Sequence, residues 1–272
     1  MSSARQPSAP IRIVQITDFH LLASEHSRML GVDTQASLEA VLETVVEFRD
    51  PPDLFLLTGD LVQDPEAATY RRLCPLLSEL PAPVYCLPGN HDDVGLMGEV
   101  LADGRSIFLQ ARIALPGWDI VCLNSTIAND PCGYLSDDEL ALLDRVLAEI
   151  PPDHHVLVSF HHSPVLIGSR WLDTMVLGNA DELFARLHRY PNLRGFIIGH
   201  VHQHLDVRLG PYRLLACPST CFQFKPLSRD FALDPVPPGF RWLDLYPDGH
   251  LETGVERLVA VPSGLDLASG GY

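Results

Sequence analysis

An α/β protein is predicted by three features of this chain. Strand-like apolar runs alternate with stretches of helical spacing. Several strands are apolar almost throughout, as in sheets covered on both faces. Polar residues able to do chemistry sit just past those strands. Residues 11–16 read as the first strand. Residues 34–48 follow as a helix, with Leu38, Val41, Leu42, Val45 and Val46 at helical spacing behind polar capping candidates. Residues 53–58 and 84–87 read as strands with a helix at 65–80 between them. Residues 120–123 form another strand. Ser136 and Glu139 make a capping box for a helix reaching about residue 150. A strand at 155–160, a helix at 180–189 and a strand at 195–198 complete the alternation. Beyond His204 the character changes to strand and turn, with strands at 213–217 and 240–245 and a Pro-Asp-Gly turn at 247–249.

The formal charge is −16, from 19 basic and 35 acidic residues. An acidic surface argues against a nucleic-acid polymer or an anionic membrane as partner, since both need basic patches. A small anion remains compatible, because bound cations reverse the local field. The six cysteines form no C-x-x-C pair, so free thiols are expected rather than a disulfide framework. No apolar signal core and no membrane-length run is present, and a cytoplasmic location is expected. Residues 1–10 read as a flexible N-terminus, 11–260 as one domain and 261–272 as a C-terminal tail.

Five clusters carry the chemistry, each past a predicted strand: Asp18-Phe19-His20, Gly59-Asp60, Gly89-Asn90-His91-Asp92, His161-His162 and Gly199-His200-Val201-His202. Taken singly, each has an ordinary explanation as a turn cap, a tight loop or a packed histidine. Taken in order, they place carboxylate, imidazole and amide donors on one rim of the sheet. Those donors suffice for two adjacent metal ions, whose chemistry is hydrolysis at phosphorus by a metal-bridging hydroxide. Residues 163–179 show no periodicity and read as a loop overhanging the site, with Trp171 and Asp173 as candidate substrate contacts beside the alternative of a packed surface loop.

These blocks carry a family resemblance. The chain resembles the calcineurin-like metallophosphoesterases over about residues 13–224, with D-x-H, G-D, G-N-H-[DE], a histidine block and G-H-x-H all present. Gly59-Asp60-Leu61-Val62-Gln63-Asp64, Gly89-Asn90-His91-Asp92-Asp93 and the segment from Pro218 to Pro226 are similar to the class III 3′,5′-cyclic AMP phosphodiesterases of proteobacteria. The resemblance implies a four-layer α-β-β-α sandwich with two mixed sheets between helices. It implies that Asp18, His20 and His202 ligate one metal, that Asn90, His161 and His200 ligate the other, and that Asp60 bridges both. His161 is taken as the ligand over His162, and His204 lies outside the set. A mixed Fe and Mn pair is implied, with Zn or Co also compatible with imidazole donors.

The implied catalytic residues are Asp60 and His91, with His91 facing the scissile phosphate. His20, Asn90, His91 and His202 are the implied substrate contacts. In many relatives an Asp three residues past the bridging one orients the catalytic histidine. Gln63 stands there in this chain and Asp64 follows it. The expected function is hydrolysis of 3′,5′-cyclic AMP to 5′-AMP. Alternatives are a broader phosphodiesterase for glycerophosphodiesters or 2′,3′-cyclic nucleotides, and a non-catalytic cyclic-nucleotide-binding regulator. The intact donor set argues against the last. A small phosphodiester is the expected partner, and a homodimer is compatible with the chain.

Overall fold

The computed structural model describes residues 9–48, 51–102 and 106–271. Most of the flexible N-terminus expected at 1–10 therefore lies outside the described residues. Twelve strands build two sheets. In chain order they are β1 (Ile11–Ile16), β2 (Leu54–Thr58), β3 (Val84–Leu87), β4 (Ile107–Phe108), β5 (Arg112–Leu115) and β6 (Trp118–Cys122). Then come β7 (His155–Ser159), β8 (Leu193–Ile198), β9 (Leu205–Leu209), β10 (Tyr212–Ala216), β11 (Gly239–Leu245) and β12 (Leu251–Arg257). The first sheet has the order β12-β11-β1-β2-β3-β4, parallel from β1 to β4 and antiparallel at β11 and β12. The second has the order β9-β10-β8-β7-β6-β5, parallel through its centre and antiparallel at both edges.

The two-residue period of the strands decides which layer each side chain enters. Ile13, Leu54 and Leu56 point between the sheets, where they meet Trp118, Ile120, Leu157, Ile197 and Leu215. Their neighbours Val14, Ile16, Phe55 and Leu57 point outward to α1 (Thr34–Glu47), α2 (Ala67–Ser78) and α3 (Val94–Leu101). The second sheet is covered by α4 (Asp137–Glu149) and α5 (Ala180–Leu187) through Leu140, Leu143, Leu183 and Leu187. Helices, sheet, sheet and helices are thus stacked as four layers. At the carboxyl ends of the central strands Gln15 joins the sheets, donating to Thr58 Oγ1 at 2.9 Å and to the Ile198 carbonyl at 2.8 Å.

Local readings hold with some corrections. Asp33 caps α1, accepting from Ala36 N at 3.0 Å, while Val46 faces solvent instead of the core. Ser136 caps α4, but the Glu139 carboxylate accepts from Asn124 N at 3.0 Å, so the reciprocal half of the capping box is not made. Helix α3 was not anticipated, because Gly95 and Gly98 weaken its helical signal. All six cysteines are free. The C-terminal tail is docked on the domain. Asp266 N donates to the Leu30 carbonyl at 2.9 Å, and Leu265 packs against a cluster that includes Met29, Phe222 and Phe224. Among the described residues no helix is long and apolar enough to cross a membrane.

Candidate metal centre and active site

Asp18 follows β1, Asp60 follows β2, Asn90 follows β3, His161 follows β7, and His200 and His202 follow β8. Backbone hydrogen bonds tie these strand ends together. Asp18 N donates to the Gly59 carbonyl at 3.0 Å, His20 N to the Asp60 carbonyl at 3.0 Å, and Gly199 N to the His161 carbonyl at 3.1 Å. Five of the donor residues sit in the left-handed region: Asp18 at φ 55°, His20 at 49°, Asp60 at 53°, His200 at 66° and His202 at 46°. Such residues cost on the order of 1–3 kcal/mol each and persist where the surroundings hold them, as they do at functional sites. Gly59 at φ 95° lets the loops close, since a Cβ there would lie 2.6 Å from Gly89 N and from His161 Nδ1.

The imidazoles share one orientation. His161 Nδ1 meets the Thr58 carbonyl at 2.7 Å and His202 Nδ1 the Phe222 carbonyl at 2.9 Å. A carbonyl only accepts, so these nitrogens carry the proton and Nε2 presents its lone pair. His20 Nδ1 meets Gln63 Oε1 at 2.8 Å in the same sense, and His200 Nδ1 lies 3.0 Å from Asn90 Oδ1. The Nε2 atoms then turn inward. Those of His161 and His200 are buried with no hydrogen-bond partner, as is Asp18 Oδ2, and those of His20 and His202 face each other at 3.0 Å. Buried polar atoms left unmatched are rare and call for an explanation. Divalent cations supply it. The donor atoms of Asp18, His20 and His202 lie within 4.8 Å of one another, as do those of Asp60, His161 and His200, and those of His20, Asp60 and His91.

Asp60 is the shared member. Its Oδ2 lies 3.2 Å from His161 Nε2 and 3.7 Å from His20 Nε2, and its Oδ1 accepts from His91 N at 2.9 Å. Burial alone would raise its carboxyl, but the charges of His161 and His91 hold it well below the usual range. Burial pushes His20 down to about 3. In the metal-stripped protein burial also lowers His161, but Asp60 and Asp18 outweigh it and raise it to about 9, a proton that a bound cation would displace from Nε2.

The surroundings of this centre differ in part from expectation. Asp64 does not reach His91, because its carboxylate accepts from Ala23 N at 2.9 Å. Gln63 holds His20 instead, a role the sequence did not reveal. His162 Nδ1 meets Ser125 Oγ at 2.8 Å, its ring lies 4.8 Å from that of His200 between centroids with Nε2 buried and unpartnered, and His204 is exposed. Asp173 accepts from Ile167 N at 2.7 Å and Gly168 N at 3.1 Å, shaping its own loop, and is not among the residues lining the cavity. Trp171 does line a cavity of about 490 Å³ whose other walls include Asn90, His91, His200, Phe224 and Phe231. His20 and His202 lie buried beneath that cavity.

The calcineurin-like phosphoesterase family model matches residues 11–204, and the chain belongs to this family. It is 43% identical over 271 residues to the 3′,5′-cyclic adenosine monophosphate phosphodiesterase CpdA of Pseudomonas aeruginosa, covering 100% of this chain and 98% of that one. It is 41% identical to the protein of the same name from Escherichia coli, covering 97% and 96%. A 3′,5′-cyclic-nucleotide phosphodiesterase of Nostoc is 39% identical over 92% of this chain and 93% of that one. The fold is similar to that of yellow lupin purple acid phosphatase, with a TM-score of 0.63 at 10% identity, covering 93% of this chain and 52% of that one. A dimetal phosphatase from Danio rerio superposes with a TM-score of 0.58 at 15% identity, covering 91% and 99%.

Proposed function

We propose that this member of the calcineurin-like phosphoesterases is a metal-dependent phosphodiesterase that hydrolyses 3′,5′-cyclic AMP to 5′-AMP. The observation that carries the reading is the inward turn of four Nε2 atoms on two buried carboxylates, beneath a cavity wide enough for a small diester. Full-length relatives named for that reaction supply the substrate. Asp18, His20 and His202 would hold one cation, Asn90, His161 and His200 the other, and Asp60 both. Fe and Mn are the proposed native pair, with Zn or Co able to occupy the same donors. When bound, the cations supply Lewis acidity at the phosphoryl oxygens and activate water for in-line attack.

The chain's own residues orient the rest. The backbone N–H of His91 is anchored on Asp60, and its ring stands edge-on to His20 with centroids 5.0 Å apart, at the floor of the cavity. That placement lets His91 give a proton to the departing 3′ oxygen or hold the charge that develops at phosphorus. Asn90 and His91 line the cavity, where they would meet the phosphate. Water adds across the P–O3′ bond, with hydroxyl to phosphorus and proton to the 3′ oxygen, leaving 5′-AMP. An acidic chain with no basic stripe favours a small diester over a polymer.

The test is a kinetic panel on protein of measured metal content, using cyclic AMP, a 2′,3′-cyclic nucleotide, a glycerophosphodiester and single-stranded DNA. Cyclic AMP is expected to show the highest kcat/KM. Higher specificity for DNA or for the glycerophosphodiester would overturn the substrate. Binding of cyclic AMP without metal-dependent turnover would favour the regulator.

A further inference from the structure

The lining of the cavity above the metal centre is of two chemical kinds. Asn90, His91 and His200 are polar and suit a phosphate. Trp171, Leu172 and Met175 on one loop and Phe224 and Phe231 from another are apolar. The Trp171 ring stands edge-on to Phe224 at 4.8 Å and to Phe231 at 5.1 Å between centroids, so the aromatic rings brace one another. Phe224 in turn stacks on the His202 imidazole at 4.2 Å, which fixes the wall at a set distance from the donor cluster.

A hairpin made by Thr126–Ile127 and Asp130–Gly133 brings a third group of residues to the cavity. Its turn residue Asn129 adopts φ 60°, and Asn129, Asp130 and Pro131 all line the cavity. The hairpin is stitched to the Trp171 loop. Gly133 N donates to the Val176 carbonyl at 3.2 Å, and Gly178 N donates to the Gly133 carbonyl at 2.7 Å. Asp130 Oδ1 is engaged by Cys132 N at 2.8 Å. The Asn129 side chain is exposed at the cavity lip.

We propose that the aromatic lining and the hairpin tip form a purine subsite, in which the aromatic residues take the face of the base and Asn129, with Asp130, reads its edge as adenine. This rests on the cyclic-nucleotide reading given above. The chemistry follows from the donors on the lip. A carboxamide offers one acceptor and one donor side by side, the complement of an adenine edge with its amino group next to a ring nitrogen. A guanine edge presents its O6 where adenine presents the amino donor. A carboxylate at the lip accepts from the adenine amino group and repels O6. Stacking on an aromatic ring tolerates either purine and so contributes affinity, while the hairpin contributes the choice between them.

The experiment compares the metal-loaded protein with Asn129→Ala and Phe231→Ala. It measures kcat/KM for cyclic AMP and cyclic GMP, and the affinities for 5′-AMP and 5′-GMP by calorimetry. The unsubstituted protein should prefer the adenine ligand in both assays. Asn129→Ala should lower that preference about tenfold, within the range for loss of a bidentate base contact. Phe231→Ala should weaken both purines together and leave the preference in place. If Asn129→Ala lowers adenine and guanine ligands equally, or leaves their ratio unmoved, the subsite is wrong whatever the enzyme hydrolyses. If 5′-AMP is preferred through Asn129 but cyclic AMP is not turned over, the subsite stands and the proposed reaction fails.

Discussion

The donor floor and the aromatic wall meet at one cavity, yet they are held in opposite ways. The floor hangs on the carboxyl ends of five central strands. Its imidazoles are fixed through Nδ1, and five of its residues are kept in the left-handed region by the loops around them. The wall is built on connections: the 163–179 loop, a two-residue strand pair at Gln223–Phe224 and Leu233–Asp234, and a hairpin tip. Geometry that must be kept to a fraction of an ångström sits on the sheets, and geometry that selects a ligand sits on loops. Substitutions in the floor should therefore remove the reaction, whereas those in the wall should tune it.

Asp60→Ala is expected to have the largest effect. It removes the carboxylate common to two of the donor groups, so metal content by mass spectrometry should fall and hydrolysis should vanish. Two metals retained per chain would contradict the shared position. Asp64→Ala, which frees only Ala23 N, should merely weaken activity.

His91→Ala comes next. Metal content should persist while kcat falls by roughly 10²–10⁴, the usual scale for a general acid. Full recovery on adding free metal would show that His91 is instead a ligand.

Gln63→Ala should cost about 10–100-fold in metal affinity or activity, as is usual when the partner that orients a ligand histidine is lost. Gln63→Glu, which keeps the acceptor for His20 Nδ1, should recover most of it. Equal losses in both variants would mean that Gln63 only packs.

Acid should test the floor without any substrate. Burial holds His20 and His162 neutral in the folded state, each pushed down to about 3. Below the unfolded value of about 6.5 the unfolded chain binds the protons that the folded chain refuses. The part of the metal-stripped protein's stability that these two groups supply should thus be full above that pH. It should then fall with acidification, by up to about 1.4 kcal/mol per group per pH unit, towards the folded value. His161 has the reverse sign. It is raised to about 9, and its contribution is present below 6.5 and lost as pH rises through the folded value. Urea unfolding at pH 7 and pH 5 measures the acid limb, and His162→Gln should flatten it.

The smallest effects belong to the wall. Trp171→Ala removes a stacked ring worth about 1 kcal/mol, so KM should rise about fivefold with kcat nearly kept. Removal of residues 262–272, whose Leu265 packs on the wall cluster and whose Gly271 lines the cavity, should act in the same direction. A fall in kcat larger than the rise in KM would show that the wall shapes the floor.

Several strands could be read from composition alone. Residues 11–16 and 84–87 match β1 and β3 to the residue, because short, mainly apolar runs mark strands in the buried centre of a sheet. Helix α3 and the outer strands β5, β9 and β12 went unread. Two glycines broke the helical signal of α3, and the strands are partly exposed edges without a continuous apolar run.

The donor residues themselves were also determined by the sequence, since metal chemistry demands particular side chains just past particular strands. The tertiary structure alone decided which nitrogen each histidine presents and that Gln63, not Asp64, supports the floor. It alone brought Asn129, Trp171, Phe224 and Phe231 to one cavity. The physical reason is range. A strand end carries its ligand with it, so the local pattern marks the place. A wall assembled from loops 40 or more residues apart has no period of its own, and its members become neighbours only when the sheets close.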